Sequence, residues 1–278
     1  MRIRFVILCL VGLLLQGCAS LPYPPCDLSI ERHRITPPEE PQFVRGRTNV
    51  VVDSIGWVVG IPVKVLLLDR RMENHRIDPA VEESLKAYLA FNQLDDIKVR
   101  INQYAPGAEF KRLTRNKNVG AGWRYTTGML AWLYYTILPG RIFGGDSYNP
   151  YTDTISLYSN IRAVAIHEGG HGKDFRQRTY PGTYAFAYLL PFVALYPEAL
   201  ASSDAMSYLT TQRTVEEEKE GYKILYPAYG TYVGGSLAGG LGPLSPVYYV
   251  GLVAGHVIGR CQAGQVEEDR RWRSGQQP

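Results

Sequence analysis

The residues best equipped for chemistry in this chain are His167 and His171, four apart in His167-Glu168-Gly169-Gly170-His171. On a helix that spacing puts both imidazoles on one face, where two ring nitrogens can meet one divalent ion, and neutral imidazole is a good zinc ligand. Glu168 follows the first histidine directly, so its carboxylate can reach a water beside such an ion. Zinc lowers the pKa of that water to about 7, which lets a carboxylate take its proton as attack on a carbonyl begins. Gly169 and Gly170 would each cost a helix about 1 kcal/mol relative to Ala, so helix stability alone does not account for the pentapeptide.

The surrounding pattern supplies elements to hold it. Thr152 to Tyr158 is rich in β-branched and aromatic residues and predicts a strand, ending at Ser159-Asn160, either of which can cap the helix expected from about Ile161 to Arg178. Upstream, Asp78-Pro79 with Glu82 and Glu83 is a helix start, and Val81, Leu85, Tyr88 and Leu89 form its apolar face to about Leu94. Ile97, Val99 and Ile101 alternate with Lys98, Arg100 and Asn102, the period of a half-buried strand. Val50 to Leu68 is apolar but interrupted by Asp53, Pro62 and Lys64, which argues against a membrane span and for a buried strand or helix pair. A second apolar segment runs from Tyr125 to Leu138. Downstream, helices are expected over Thr183 to Leu195 with a break at Pro191, over Pro197 to Gln212, and over Thr214 to about Leu225.

With these residues in view, the segment from Thr152 to Gln212 resembles the zincin metallopeptidases. The extended HExxHxxGxxH of the metzincin branch is absent, since Asp174 and Gln177 occupy its Gly and His positions. In the gluzincin branch the third zinc ligand is a Glu on a later helix, and the resemblance implies Glu198 in Tyr196-Pro197-Glu198-Ala199. Asp174, His256 and His75 stay open as alternatives, and Glu198 also suits a helix N-terminus. That branch carries an Asp four residues after its Glu to orient a zinc-bound His; here Ser202 stands at that position and Asp204 two residues further on, so both are candidates. The resemblance implies an α+β, zincin-like fold, mostly helical, with a small sheet whose edge strand, Thr152 to Tyr158, precedes the HExxH helix and pairs with an extended substrate. It implies a zinc-dependent hydrolase acting on peptide bonds. Tyr226, Tyr229 or Tyr232 could bring a phenol to the zinc and donate to a developing oxyanion, although packing is the commoner role for a tyrosine in a chain with 20 of them.

The N-terminus reads as an export signal: Arg2 and Arg4, an apolar run from Phe5 to Leu15, then Gly17-Cys18. A small residue followed by Cys resembles the bacterial lipobox, which implies removal of residues 1–17, a diacylglycerol on the Cys18 thiol and attachment to a membrane. Ala19 lacks the Asp that retains proteobacterial lipoproteins at the inner membrane, so the resemblance points to the outer membrane, periplasmic face. Cys9 leaves with the signal and Cys18 is lipidated, so Cys26 and Cys261 remain as one expected disulfide in an oxidising compartment. Residues 18–49, with six prolines from Pro22 to Pro41, are expected to form an extended tether, 50–225 the zincin-like domain, and 226–278 a Gly-rich apolar segment with a polar tail.

Thirty Lys+Arg against 26 Asp+Glu give +4, and without Arg2 and Arg4 the balance is 28 against 26, or +2, too weak a bias to argue for nucleic acid. Between Lys223 and Arg260 there is no charged residue, and Gly251, Gly255 and Gly259 recur every fourth position, which lets a helix approach its neighbour closely. Two other readings accompany the peptidase: a non-catalytic envelope lipoprotein using a zincin-like fold to bind a partner, and a membrane-associated assembly factor acting through this Gly-rich segment.

Overall fold

A computed structural model describes residues 24–190 and 192–275; the expected signal peptide over 1–17, Cys18 and the helix break at Pro191 lie outside the described residues. The fold is α+β, mostly helical with a small mixed sheet. The chain divides into two compact units, the first Pro25–Leu190 and the second Met1–Pro24 with Pro191–Pro278.

The first unit holds the sheet, with strands β1 (Phe43–Arg45), β2 (Lys98–Ile101), β3 (Ser147–Asn149) and β4 (Thr154–Leu157) in the order β1-β2-β4-β3. The first three in that order are mutually parallel and β3 runs antiparallel at one end. Parallel neighbours need crossovers. Helices α1 (Val50–Val59), α2 (Ile61–Leu67) and α3 (Pro79–Phe91) lie between β1 and β2. Between β2 and β3 come α4 (Pro106–Arg115), the short α5 (Ala121–Trp123), a π-helical turn over Arg124–Gly128, α6 (Met129–Ile137) and α7 (Gly140–Phe143). After β4 the chain enters α8 (Arg162–Arg176), the helix that carries the paired histidines, and then α9 (Pro181–Ala187).

Several expectations are corrected here. The strand before the histidine helix is not an edge: β4 is paired on both sides, with β2 and β3, and β3 ends the sheet. Lys98 and Arg100 do not point to solvent, because each is neutralised inside. Lys98 Nζ meets Glu40 Oε1 at 2.7 Å, and Arg100 Nε meets Glu109 Oε1 at 2.6 Å, so β2 is buried along both faces. Neither Ser159 nor Asn160 caps α8. The cap is Ile161 without a side-chain bond, while Asn160 binds the start of α3 through the Asp78 N–H and carboxylate.

The expected tether is folded from its midpoint on. Arg32 donates to the carbonyls of Phe175, Arg176 and Arg178, satisfying the free acceptors at the C-terminal end of α8. Thr36 and Gln42 bond the Asp96 and Leu94 carbonyls, and Phe43–Arg45 joins the sheet. Prolines limit helix formation in such a segment but leave its side chains free to pack. Gly169 of the histidine pentapeptide also finds its reason in packing. A Cβ on Gly169 would lie 2.7 Å from the Tyr88 ring of α3, so only a glycine lets the two helices close to this distance.

One acid in this unit sets an expected pH dependence. Burial pushes the Glu73 carboxyl up to about 7, nearby Asp146 adds to the effect and Lys64 opposes it. The folded state therefore holds a proton between about pH 4.5 and 7 that the unfolded chain releases, so stability falls as pH rises through that window and levels off above it. Glu73→Gln is expected to remove this slope and to stabilise the protein at pH 8, on the order of 1 kcal/mol after allowance for partial exposure. Urea unfolding at pH 5 and pH 8 checks it; equal slopes in the two proteins contradict the assignment.

The second unit is built from α10 (Leu195–Gln212), α11 (Val215–Leu237) and α12 (Pro246–Arg273), with a 3-10 turn over Gly242–Leu244. Thr214 starts α11 with a capping box in which its hydroxyl accepts from the Glu217 N–H and the Glu217 carboxylate accepts from the Thr214 N–H. The helix expected to end near Leu225 continues to Leu237 with Pro227 inside it, so the boundary expected at 225/226 falls within one element. The Gly-rich segment is the close-packed hairpin of α11 and α12. Cβ atoms on Gly230, Gly251, Gly255 or Gly259 would lie 2.2–2.4 Å from a carbonyl oxygen of the facing helix. Gly251→Ala is accordingly expected to destabilise by about 1–3 kcal/mol despite its gain in helix propensity. Gly264→Ala on the same helix, where a Cβ meets nothing within 4 Å, is expected to stabilise by up to about 1 kcal/mol. Opposite signs in thermal melts are the check.

Cys261 is free, so the expected disulfide between it and Cys26 is not formed. Cys26 is buried within the first unit, where its sulfur takes the Gln177 amide at 3.7 Å, whereas Cys261 is exposed on α12.

Candidate metal centre

Helix α8 forms because β4 delivers an extended chain through Ile161 into a run whose Ala163, Val164, Ala165 and Ile166 bury against the core. Its next turn carries the histidines. The two Nε2 atoms stand 3.1 Å apart, with rings edge to face at 84°. Two nitrogens bound tetrahedrally to one zinc at about 2.05 Å would stand roughly 3.3 Å apart, so the pair converges as two ligands of one ion do. Glu168 is buried on the same helix.

The third group comes from α10. Glu198 lies in its first turn and is only 3% exposed. One ligand atom from each of His167, His171 and Glu198 lies within 4.8 Å of the others, forming a group able to hold a metal ion. Two imidazoles and a carboxylate make a donor set of the kind found at catalytic zinc sites. The residues therefore fit the ion.

The alternative ligands are engaged elsewhere. Asp174 pairs with Arg178 and accepts from the Tyr184 hydroxyl at 2.7 Å. His75 Nδ1 pairs with Asn102 Oδ1 at 3.0 Å, and His256 pairs with Arg260 on α12. Both candidates for orienting a zinc-bound histidine lie on α10, Ser202 one turn after Glu198 and Asp204 six residues after it.

Of the three candidate tyrosines, all on α11, Tyr229 feels Glu198: burial raises its phenol pKa and the Glu198 charge adds to the shift. Tyr226 is buried and packs at a tilt of 58° on Tyr222, ring centres 5.4 Å apart, and Tyr232 is exposed. A phenol that sequence reasoning missed is Tyr188, whose ring centre lies 6.2 Å from that of His171. No motif marks it; only the chain's course after α9 brings it there. Comparison of the chain with protein-family models, curated proteins and solved structures yields no match.

Proposed function

We propose that this chain is a zinc-dependent metallopeptidase of gluzincin type, held by a lipid on Cys18 at the periplasmic face of the outer membrane and hydrolysing peptide bonds of envelope proteins or peptides. The observation that carries it is the convergence of two histidine Nε2 atoms 3.1 Å apart with a buried glutamate, in a segment where Glu168 adjoins the first histidine. His167, His171 and Glu198 would hold the ion, leaving its fourth position open. Zinc, when bound, supplies a Lewis acid that polarises a carbonyl and acidifies water.

Glu168 takes the proton of the attacking water and passes it to the leaving amine, the role its place beside His167 suits. Ser202 supports the ligand face of α10. Tyr229 or Tyr188 would donate to negative charge developing on the substrate oxygen. The strand offered to an extended substrate is β3, Ser147–Asn149, because β4 is already paired on both sides. The lipid anchor is supported by Gly17-Cys18 after a basic, apolar leader, and the outer membrane by Ala19.

The test is metal content of the purified protein together with cleavage of a random peptide mixture, followed by mass spectrometry. About one zinc and cleavage that a chelator stops is the expected result. Bound zinc with no cleavage would favour a binding protein, and no zinc after growth in zinc-replete medium would overturn the reading.

A further inference from the structure

The first unit presents an unusual face. Among the described residues no single helix is long and apolar enough to cross a membrane, but α1 and α2 pass that test together as a pair bent by 49° at Gly60. Instead of being buried in a core, the pair turns Val50, Val51, Ile55, Val58, Val65 and Leu68 to the outside, with Val50 78% exposed and Leu68 65%. Seventeen helical residues at 1.5 Å each reach only about 25 Å, short of a hydrocarbon core, and the bend shortens them further.

The charges of this segment face inward. Asp53 accepts from Arg141 Nε of α7 at 2.7 Å, and Lys64 sends its ammonium to the Trp57 and Glu73 carbonyls. What remains outward is apolar, with Trp57 43% exposed among it. The ends are basic: Arg47 precedes α1 and Arg70 follows α2, both exposed. Helix α7, which packs on α1, is joined by Leu138-Pro139 to α6, and α6 exposes Leu130, Tyr134 and Ile137. An uncharged aliphatic face with indole and phenol groups and flanking arginines has the composition of a helix lying in a lipid interface, its cations meeting anionic headgroups.

We infer that α1, α2 and α6 form a membrane-docking face that sits in the interfacial layer of a bilayer containing anionic lipid. The length of chain ahead of the unit agrees. Seven residues from Cys18 to Pro25 span at most about 25 Å, so an acyl chain on Cys18 would keep this unit within reach of the lipid surface. That last leg rests on the lipid attachment proposed above; the face itself does not. Docked in this way, the unit that carries His167 and His171 is held against the membrane instead of swinging from it.

The experiment uses the full chain in vesicles of phosphatidylcholine and phosphatidylglycerol whose acyl chains carry bromine, a contact quencher of indole. Wild type is compared with Trp57→Phe and with the triple variant Val51→Asp, Val58→Asp, Val65→Asp. The expected result is quenching in wild type that Trp57→Phe largely abolishes, and roughly tenfold weaker quenching in the triple variant while it still floats with the vesicles. Flotation reports the anchor and Trp57 quenching reports the face, so the two can fail separately. Unquenched Trp57 in vesicle-bound wild type overturns the inference, as does quenching equal in wild type and Trp57→Phe. Cross-linking of Val58→Cys between copies, with Trp57 unquenched, would give the face to a second copy and also overturn it. If the triple variant does not fold, the Trp57→Phe difference alone decides.

Discussion

Purified from zinc-replete cells, the full chain is expected to carry about one zinc per molecule, and His171→Ala and Glu198→Ala to carry almost none. Losing a partner that merely orients a metal ligand costs 10–100-fold in affinity, so removing a ligand outright should cost at least about a hundredfold. Glu168→Gln separates binding from catalysis. It is expected to keep the zinc and to lose about 10²–10⁴-fold in peptide hydrolysis, the range a positioned proton acceptor contributes. The pattern across variants locates any error. Zinc lost in His171→Ala but retained in Glu198→Ala would remove Glu198 from the site despite its place within 4.8 Å of both histidines. Zinc lost in Glu168→Gln would make Glu168 a ligand instead of a base. Inductively coupled plasma mass spectrometry on each protein, with circular dichroism to verify folding, is sufficient.

The largest stability effect is expected far from that site, at the ion pair of Arg100 and Glu109. Their side chains are 3% and 5% exposed and meet at 2.6 Å beside the sheet, where Thr154 Oγ1 also approaches the Glu109 carboxylate at 3.3 Å. Glu109→Ala leaves the guanidinium buried without its counter-charge, with only the Gln103 amide oxygen at 2.7 Å as a side-chain acceptor. An uncompensated buried charge costs about 3–5 kcal/mol, enough to consume much of the stability of an ordinary domain. The paired replacement Arg100→Met with Glu109→Leu removes both charges at similar volume and is expected to recover most of the loss, because the desolvation penalty disappears with the pair. Denaturant unfolding of the single and double variants tests this. A Glu109→Ala cost below about 1 kcal/mol would mean that water reaches the guanidinium and that the β2 side of the sheet is less closed than described.

These two sites differ in how far the sequence reveals them. The histidine pair and its neighbouring glutamate were legible because their geometry is local: four residues on a helix fix two imidazoles on one face whatever surrounds them. The start of α3 at Asp78-Pro79, the strand at Val99–Ile101 and the close approach signalled by Gly251, Gly255 and Gly259 were legible for the same reason. Glu198 needed a resemblance to be singled out, since nothing in its own spacing ties it to His171.

What tertiary structure alone decided concerns pairing partners distant along the chain. Alternation at β2 reads as one wet face, yet Lys98 and Arg100 are both inside because Glu40 and Glu109 meet them there. The strand before α8 reads equally well as an edge or a centre, and the antiparallel arrival of β3 made it a centre. Proline density suggested a tether, but Arg32 and Thr36 found carbonyl acceptors on α8 and before β2. Two remaining thiols suggested a disulfide, while one was placed in a core and the other on a helix surface. The apolar run from Val50 to Leu68 likewise fixes two helices and a bend, whereas which side of them meets the core depends on where Arg141 and Glu73 stand to draw Asp53 and Lys64 inward. Local periodicity specifies what an element is; the charges it must neutralise decide which way it faces.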